Sequence, residues 1–244
     1  MVMTDSYVVG SEKGRVFDLL KEMIAPDDRF LLMRLFGEIN DVSNDIFFLT
    51  HNGGNGLCRI WMSYPKHENA VSNWGAVFTP EEHRGNGYCA QTLRYCMDYI
   101  DHMPNAPLAL FCTASIALTK VYKRYGFVTA IRGRDGGPLY RPLGNSPKTF
   151  QEFCEQYYTE TDELHTVNAT FAWRNEIDCL LRFALIDLGE AFGINGVNDI
   201  WPIILDKPER VKIILTREKR CVGWMLDGET QIHPKYRGIK IKNQ

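Results

Sequence analysis

Val77-Phe78-Thr79-Pro80-Glu81-Glu82-His83-Arg84-Gly85-Asn86-Gly87-Tyr88-Cys89 runs from an apolar strand, through a turn holding an arginine and two glycines, into the start of a helix. Such a turn exposes successive backbone N–H groups beside a helix end that carries partial positive charge, which together make a cradle for an anion such as a pyrophosphate. The expected ligand is therefore a cofactor that carries phosphates.

The flanking sequence supplies a sheet for this turn to rise from. Trp74 to Thr79 reads as the entering strand, and the helix beyond the turn places Cys89, Leu93, Cys96, Met97 and Ile100 at helical spacing. Pro104 and Pro107 break the chain before a short buried strand, Leu108 to Cys112. A second helix is expected from Ser115 to Tyr125, burying Ala117, Leu118, Val121, Tyr122 and Tyr125 and stopping at Gly126. Phe127 to Ile131 then resumes the sheet, with Leu139-Tyr140 as an edge. Upstream, residues 11–24 set Val16, Leu19, Leu20 and Met23 on one helical face with Ser11 as the cap, and Phe30 to Ile39 predicts a further helix. Ile46 to Thr50 and Leu57 to Met62, joined by the glycine-rich His51 to Gly56, read as a hairpin, so antiparallel strands precede the turn.

At 244 residues the chain accommodates one full core and a second, smaller one. Its 45% apolar and 24% charged residues suit a globular protein, and no apolar run approaches the roughly 20 residues of a bilayer span. The start, Met1 to Ser6, shows no basic segment followed by an apolar one, so the expected address is cytoplasmic. A formal net charge of −2 gives the chain as a whole no electrostatic reason to seek nucleic acid or an anionic membrane. Cys58, Cys89, Cys96, Cys112, Cys154, Cys179 and Cys221 make an odd set without a CxxC pair and read as reduced, mostly buried thiols, with no metal site expected.

The Pro142 to Pro147 stretch reads as a linker, dividing the chain into residues 1–147 and 148–244. Beyond it, Glu176 to Phe192 predicts an amphipathic helix ended by Gly193, and Val211 to Leu215 with Cys221 to Leu226 predicts a hairpin. A repeat is visible as well. Phe47 to Met62 followed by His83-Arg84-Gly85 is echoed by Ile213 to Met225 followed by His233-Pro234-Lys235-Tyr236-Arg237-Gly238. Lys240 occupies the place of the needed glycine, and no helix follows, so a second copy here is expected not to bind the cofactor. The other reading of this module is an unrelated cap or a homodimerisation element.

The strand, the Arg-Gly-Asn-Gly turn and the helix, followed by a strand and a helix ending in Tyr-x-x-x-Gly-Phe, resemble the GCN5-related N-acetyltransferase family over roughly residues 11–143. The family's Gln/Arg-x-x-Gly-x-Gly/Ala loop falls on Arg84, Gly87 and Cys89; its second signature falls on Ser115, Tyr122, Gly126 and Phe127. Cys89, Ser115 and Leu118 depart from the residues most frequent there. The wording from Phe78 to Gly85 looks most like the branch acting on small amines or amino acids.

The resemblance implies an α/β (α+β) fold with a mixed, mostly antiparallel central sheet flanked by helices, plus a smaller C-terminal α/β module. It implies acetyl-CoA as cosubstrate and an amine-bearing small molecule as acceptor. By family position, Arg84, Gly85, Asn86, Gly87, Tyr88, Cys89 and Ser115 bind the cofactor, while Val77, Phe78 and Thr79 receive its pantetheine arm like an added strand. An N–H near Val77 or Phe78 polarises the thioester, and Tyr122 touches the cofactor and protonates the leaving thiolate. Glu68, His67, Glu81, Glu82 and His83 are candidates for the base, with none preferred, and Trp61, Tyr64 and Trp74 are either acceptor wall or sheet core. A non-catalytic acetyl-CoA sensor is the alternative function. A nucleotide-phosphate enzyme is disfavoured, since the chain has neither a Gly-Lys-Ser/Thr ending to its turn nor a spaced acidic metal pair.

Overall fold

β2 (Ser43–His51) is covered on both faces, and the alternation of its side chains shows how. It pairs antiparallel with β1 (Met3–Val8) and with β3 (Gly56–Pro65). Phe47 and Leu49 enter one cluster with Tyr7, Trp61 and the apolar faces of α1 (Arg15–Glu22) and α2 (Arg29–Phe36). Phe48 points the other way, its ring 5.4 Å from Tyr99 and 6.3 Å from Tyr95 on α3 (Tyr88–Asp101). The computed structural model describes residues 1–38, 42–189 and 197–243, and the chain divides into two units, residues 1–112 and 113–244.

In the first unit the strand order is β1, β2, β3, β4 (Val71–Phe78) and β5 (Ala109–Ala114), the last pair parallel and the others antiparallel. This is the mixed, mostly antiparallel sheet flanked by helices that was expected. The hairpin, the strand into the turn and the stripe on α3 stand where the sequence placed them, with Leu93, Cys96, Met97 and Ile100 buried and Cys89 half-buried. Ser11 does not cap α1. Its hydroxyl donates to Val8 O at 2.7 Å, and the helix starts later, behind Gly14. α2 is capped by the Asp28 side chain and ends at Gly37, while Ile39 lies outside the described residues.

A buried ion pair ties α2 to the sheet. Arg34 is 0% exposed, and its Nη1 donates to both carboxylate oxygens of Asp45 at 3.3 Å and to the Ser43 and Ser63 hydroxyls at 3.1 Å. Trp61 Nε1 also donates to Asp45, at 2.8 Å, and the guanidinium sits 5.3 Å from the Phe30 ring and 5.4 Å from that of Trp61. Burial pushes the Asp45 carboxyl up, and Arg34 pulls it back down.

The second unit opens with α4 (Ile116–Tyr122) and the ribbon of β6 (Val128–Thr129) and β7 (Gly137–Pro142). α4 buries Thr119 and Tyr122, while Ala117 and Leu118, expected inside, are exposed; the helix is one turn shorter than predicted, and its inward positions are three residues apart. Then come α5 (Phe150–Tyr157), β8 (Glu163–Asn168), α6 (Arg174–Asp187), α7 (Val197–Asp206), β9 (Val211–Thr216), β10 (Cys221–Leu226), β11 (Glu229–Ile232) and β12 (Lys240–Asn243). The predicted hairpin is β9–β10. α6 stands where a helix was predicted up to Asp187, but it is not amphipathic: every residue from Asn175 to Leu181 is buried, so the helix is covered on all sides there, and Phe192 and Gly193 lie outside the described residues. Its Glu176 accepts from the Tyr157 hydroxyl at 2.7 Å, which in turn accepts from Arg220 Nη1 at 3.0 Å.

The two units share an order of elements. The first runs strand, helix, helix and three strands into the 3-10 turn Glu81–His83; β8, α6, α7, β9, β10 and β11 repeat that order into the 3-10 turn Pro234–Tyr236. The turns make equivalent hydrogen bonds, His83 N to Pro80 O at 2.9 Å and Arg84 N to Glu81 O at 3.1 Å, against Tyr236 N to His233 O at 2.9 Å and Arg237 N to Pro234 O at 3.2 Å. They diverge after the shared Arg-Gly: the first continues into α3, the second into β12, which lies parallel to β8.

Removing one partner of the Arg34–Asp45 pair strands a buried charge. Asp45→Ala is expected to destabilise the protein by about 3–5 kcal/mol, read from denaturant midpoints. The Arg34→Met/Asp45→Ala double variant should recover part of that loss, and strictly additive losses would show the pair is not coupled.

Candidate functional site

The site starts at an irregularity in β4. Trp61 on β3 faces Gly75 while Arg59 faces Phe78, so β4 spends one residue more than its partner over this interval. That extra residue is a β-bulge, which bends the strand. Ala76 takes φ 49°, a left-handed conformation that costs a residue with a Cβ about 1–2 kcal/mol. Arg59 holds it there, its Nη1 donating to Ala76 O at 2.6 Å and its Nε to Met23 O at 3.2 Å. The parallel register with β5 ends at Asn73 opposite Phe111, upstream of the bulge. Gly75, Ala76 and Val77 are half-buried and Phe78 is 39% exposed.

Thr79 and Pro80 follow the strand, and the chain then turns through Glu81–His83. Arg84 is extended and exposed, with its Nε donating to Thr79 O at 3.3 Å. Gly85 and Gly87 have φ +80° and +79°, and a Cβ built on either meets no atom within 4 Å. Conformation rather than crowding therefore calls for glycine, and the outer side of the turn stays clear of side chains. Asn86 braces the inside, its Nδ2 donating to His83 O at 3.2 Å and Arg84 O at 3.4 Å. Gly87 is the N-cap of α3 and brings no side chain to it, so the first amides of a 14-residue helix face outward beside the Arg84 charge.

Beneath this first turn lie two thiols. Cys58 is the register partner of Thr50, whose hydroxyl is 2.8 Å from that of Thr92, one turn beyond Cys89 on α3. The hydrogen bond from Cys89 pulls the Cys58 thiol down to about 6, and the same contact pushes Cys89 up.

The other predicted residues are placed as follows. Glu81 and Glu82 are exposed and His83 is half-buried, all directly before Arg84. His67 and Glu68 lie on the β3–β4 connection and line a cavity of about 800 Å³ with Tyr64, Tyr99 and Met103, at the far end of α3 from the turn. The structure thus separates them from Arg84 to Cys89. Trp61 and Trp74 are core residues, 4% and 2% exposed, Trp74 Nε1 donating to Cys96 Sγ at 3.3 Å. In the second unit, Ser115 caps α4 by accepting from Leu118 N at 3.4 Å. Tyr122, 4% exposed, ends that helix with its ring 6.0 Å from Phe127, and Gly126 at φ +85° stops the turn that follows. Sequence reasoning missed Arg59; its signal was a lone cation between apolar residues in a strand. Among the described residues no group of three His, Cys, Asp or Glu is placed to hold a metal ion, and no helix is long and apolar enough to cross a membrane.

Comparison with solved structures returns acyltransferases. An acyl-CoA N-acyltransferase from Pseudomonas aeruginosa is 15% identical, with 58% of this chain and 99% of that one covered at a TM-score of 0.42. The ribosomal-protein-S18-alanine N-acetyltransferase from Escherichia coli is 13% identical, covering 60% and 97% at 0.42. A GNAT family acetyltransferase from Elizabethkingia anophelis with acetyl-CoA bound is 13% identical, covering 58% and 98% at 0.39. No family model and no curated protein matches the chain.

Because Gly87 sits at positive φ in open space, Gly87→Ala is expected to cost about 1–2 kcal/mol of stability, measured by urea unfolding. An unchanged midpoint would mean the turn does not hold this conformation.

Proposed function

We propose that the chain is an N-acetyltransferase that moves acetyl from acetyl-CoA to a primary amine of a small molecule or amino acid. The observation that carries this reading is the continuous run from the β4 bulge to the uncapped first turn of α3. A thioester linked through an extended amide arm to a diphosphate needs a strand free to pair, a carbonyl-binding N–H and an anion cradle, in that order. Gly75 to Phe78 supplies the first two and Arg84 to Cys89 the third.

In the proposed reaction the neutral amine attacks the thioester carbonyl, and the developing oxyanion is held by a main-chain N–H near Val77 or Phe78. The C–S bond breaks as the C–N bond forms. The sulfur receives a proton from Tyr122, whose role rests on its family position, and the nitrogen loses one through water to a carboxylate or imidazole. Glu81, Glu82 and His83 are the base candidates next to the turn.

The C-terminal module, from about residue 148, we read as a degenerate copy of the first. The shared order of elements and the matching 3-10 turns support this. After Gly238 the chain enters a strand, so no helix end stands beside the second turn.

Calorimetry should give one acetyl-CoA per chain; two sites would overturn the reading of the second module. Gly87→Trp, which fills the space outside the turn, should abolish binding with the circular dichroism spectrum retained, and undiminished affinity would remove the turn from the cofactor site. Tyr122→Phe should lower turnover roughly 10²–10⁴-fold with little change in acetyl-CoA affinity, and wild-type rates would strip it of the acid role. Tight binding without thiol release across amino acids, polyamines, aminoglycosides and lysine peptides would identify a sensor instead.

A further inference from the structure

We infer that Arg59 binds a carboxylate of the acceptor, so that the amines acetylated here are amino acids; this rests on the acetyltransferase reading above. Arg59 is 7% exposed, yet among the described residues no carboxylate oxygen lies within 4.0 Å of it. Its described polar partners are two backbone carbonyls, Met23 O and Ala76 O, and its Cζ stands 5.1 Å from the centre of the Phe78 ring.

Arg34, on the same side of the sheet, has a carboxylate beside it, which Arg59 lacks among the described residues. It has Asp45 and two serine hydroxyls on its guanidinium. Asp28 is the acid whose field reaches Arg59, but its carboxylate accepts from Leu31 N as the cap of α2. Burial lowers the Arg59 pKa first, and a guanidinium nevertheless stays charged at ordinary pH. A buried charge whose only partners are neutral dipoles is expensive, and an arriving carboxylate, gripped by a planar fork with donors to spare, relieves that expense.

The position suits substrate as well as scaffold. Ala76, whose carbonyl Arg59 holds, directly precedes Val77, in the segment assigned to the thioester. An amino acid carries nitrogen and carboxylate on one carbon, so a carboxylate on Arg59 leaves the nitrogen within reach of that segment. Charge also excludes. A polyamine or an aminoglycoside brings only positive charge towards a fixed cation, whereas an amino acid brings a compensating anion.

The test uses the full chain and matched acceptors: amino acids, their methyl esters and their decarboxylated amines, with kcat/KM read from acetyl-CoA-dependent thiol release. The free acids should be preferred by roughly 30-fold or more, chiefly through KM. Arg59→Gln should collapse that preference, and Arg59→Lys should restore part of it. Equal rates with acids and esters, which need no variant to observe, would overturn the inference while leaving the acetyltransferase reading intact. So would a preference that survives Arg59→Gln, or a variant that loses all acceptors and acetyl-CoA affinity in parallel, as expected of a mere brace for the bulge. Failure of the wild-type protein to bind acetyl-CoA would remove both.

Discussion

One extra residue in β4 governs what the first unit can do. With four residues from Gly75 to Phe78 set against three from Trp61 to Arg59, the strand cannot keep its pleat, and Ala76 absorbs the difference at positive φ. That conformation is unfavourable by itself and persists because the Arg59 guanidinium holds the Ala76 carbonyl. The bend lies just downstream of the parallel register with β5 and upstream of the turn, so a segment of half-buried main chain leads directly into the uncapped start of α3.

The buried arginines differ in what the fold brings beside them. Arg34 is surrounded by a carboxylate, two hydroxyls and two aromatic faces, and it joins α2 to β2 and β3. Arg220 reaches Glu176 through the Tyr157 hydroxyl and serves the core of the second unit in the same way. Arg59, 7% exposed, meets two carbonyl oxygens and a ring, with no carboxylate oxygen within 4.0 Å among the described residues.

The two units also show how little separates a turn that enters a helix from one that enters a strand. Both reach a 3-10 turn with the same pair of backbone hydrogen bonds and both continue with Arg-Gly. In the first, Asn86-Gly87 allows a second left-handed residue, and a helix starts there with its amides uncapped. In the second, Ile239-Lys240 follows and the chain pairs with β8 as a strand. The difference lies in two residues and in whether a macrodipole stands behind the turn.

The turn from Arg84 to Cys89 and the stripe on α3 were legible in the sequence because their causes are local: glycines meet a backbone need, and apolar residues recur with the helical period. The central hairpins were legible for the same reason. β1, β8, β11 and β12 were not, since their faces are partly solvated and their pairing is decided elsewhere, as when Lys240 finds Glu163. Ser11 looked like a cap and Leu118 like core, but capping and burial depend on where a helix starts and which side meets the sheet. The sequence by itself determined the conformation of the turn and the helices and hairpins nearest to it. Only the tertiary structure decided that Ala76 bulges, that Arg34 has its acid and that Arg59 has none among the described residues, because a charge is satisfied by whatever the fold brings beside it, and spacing along the chain does not carry that information.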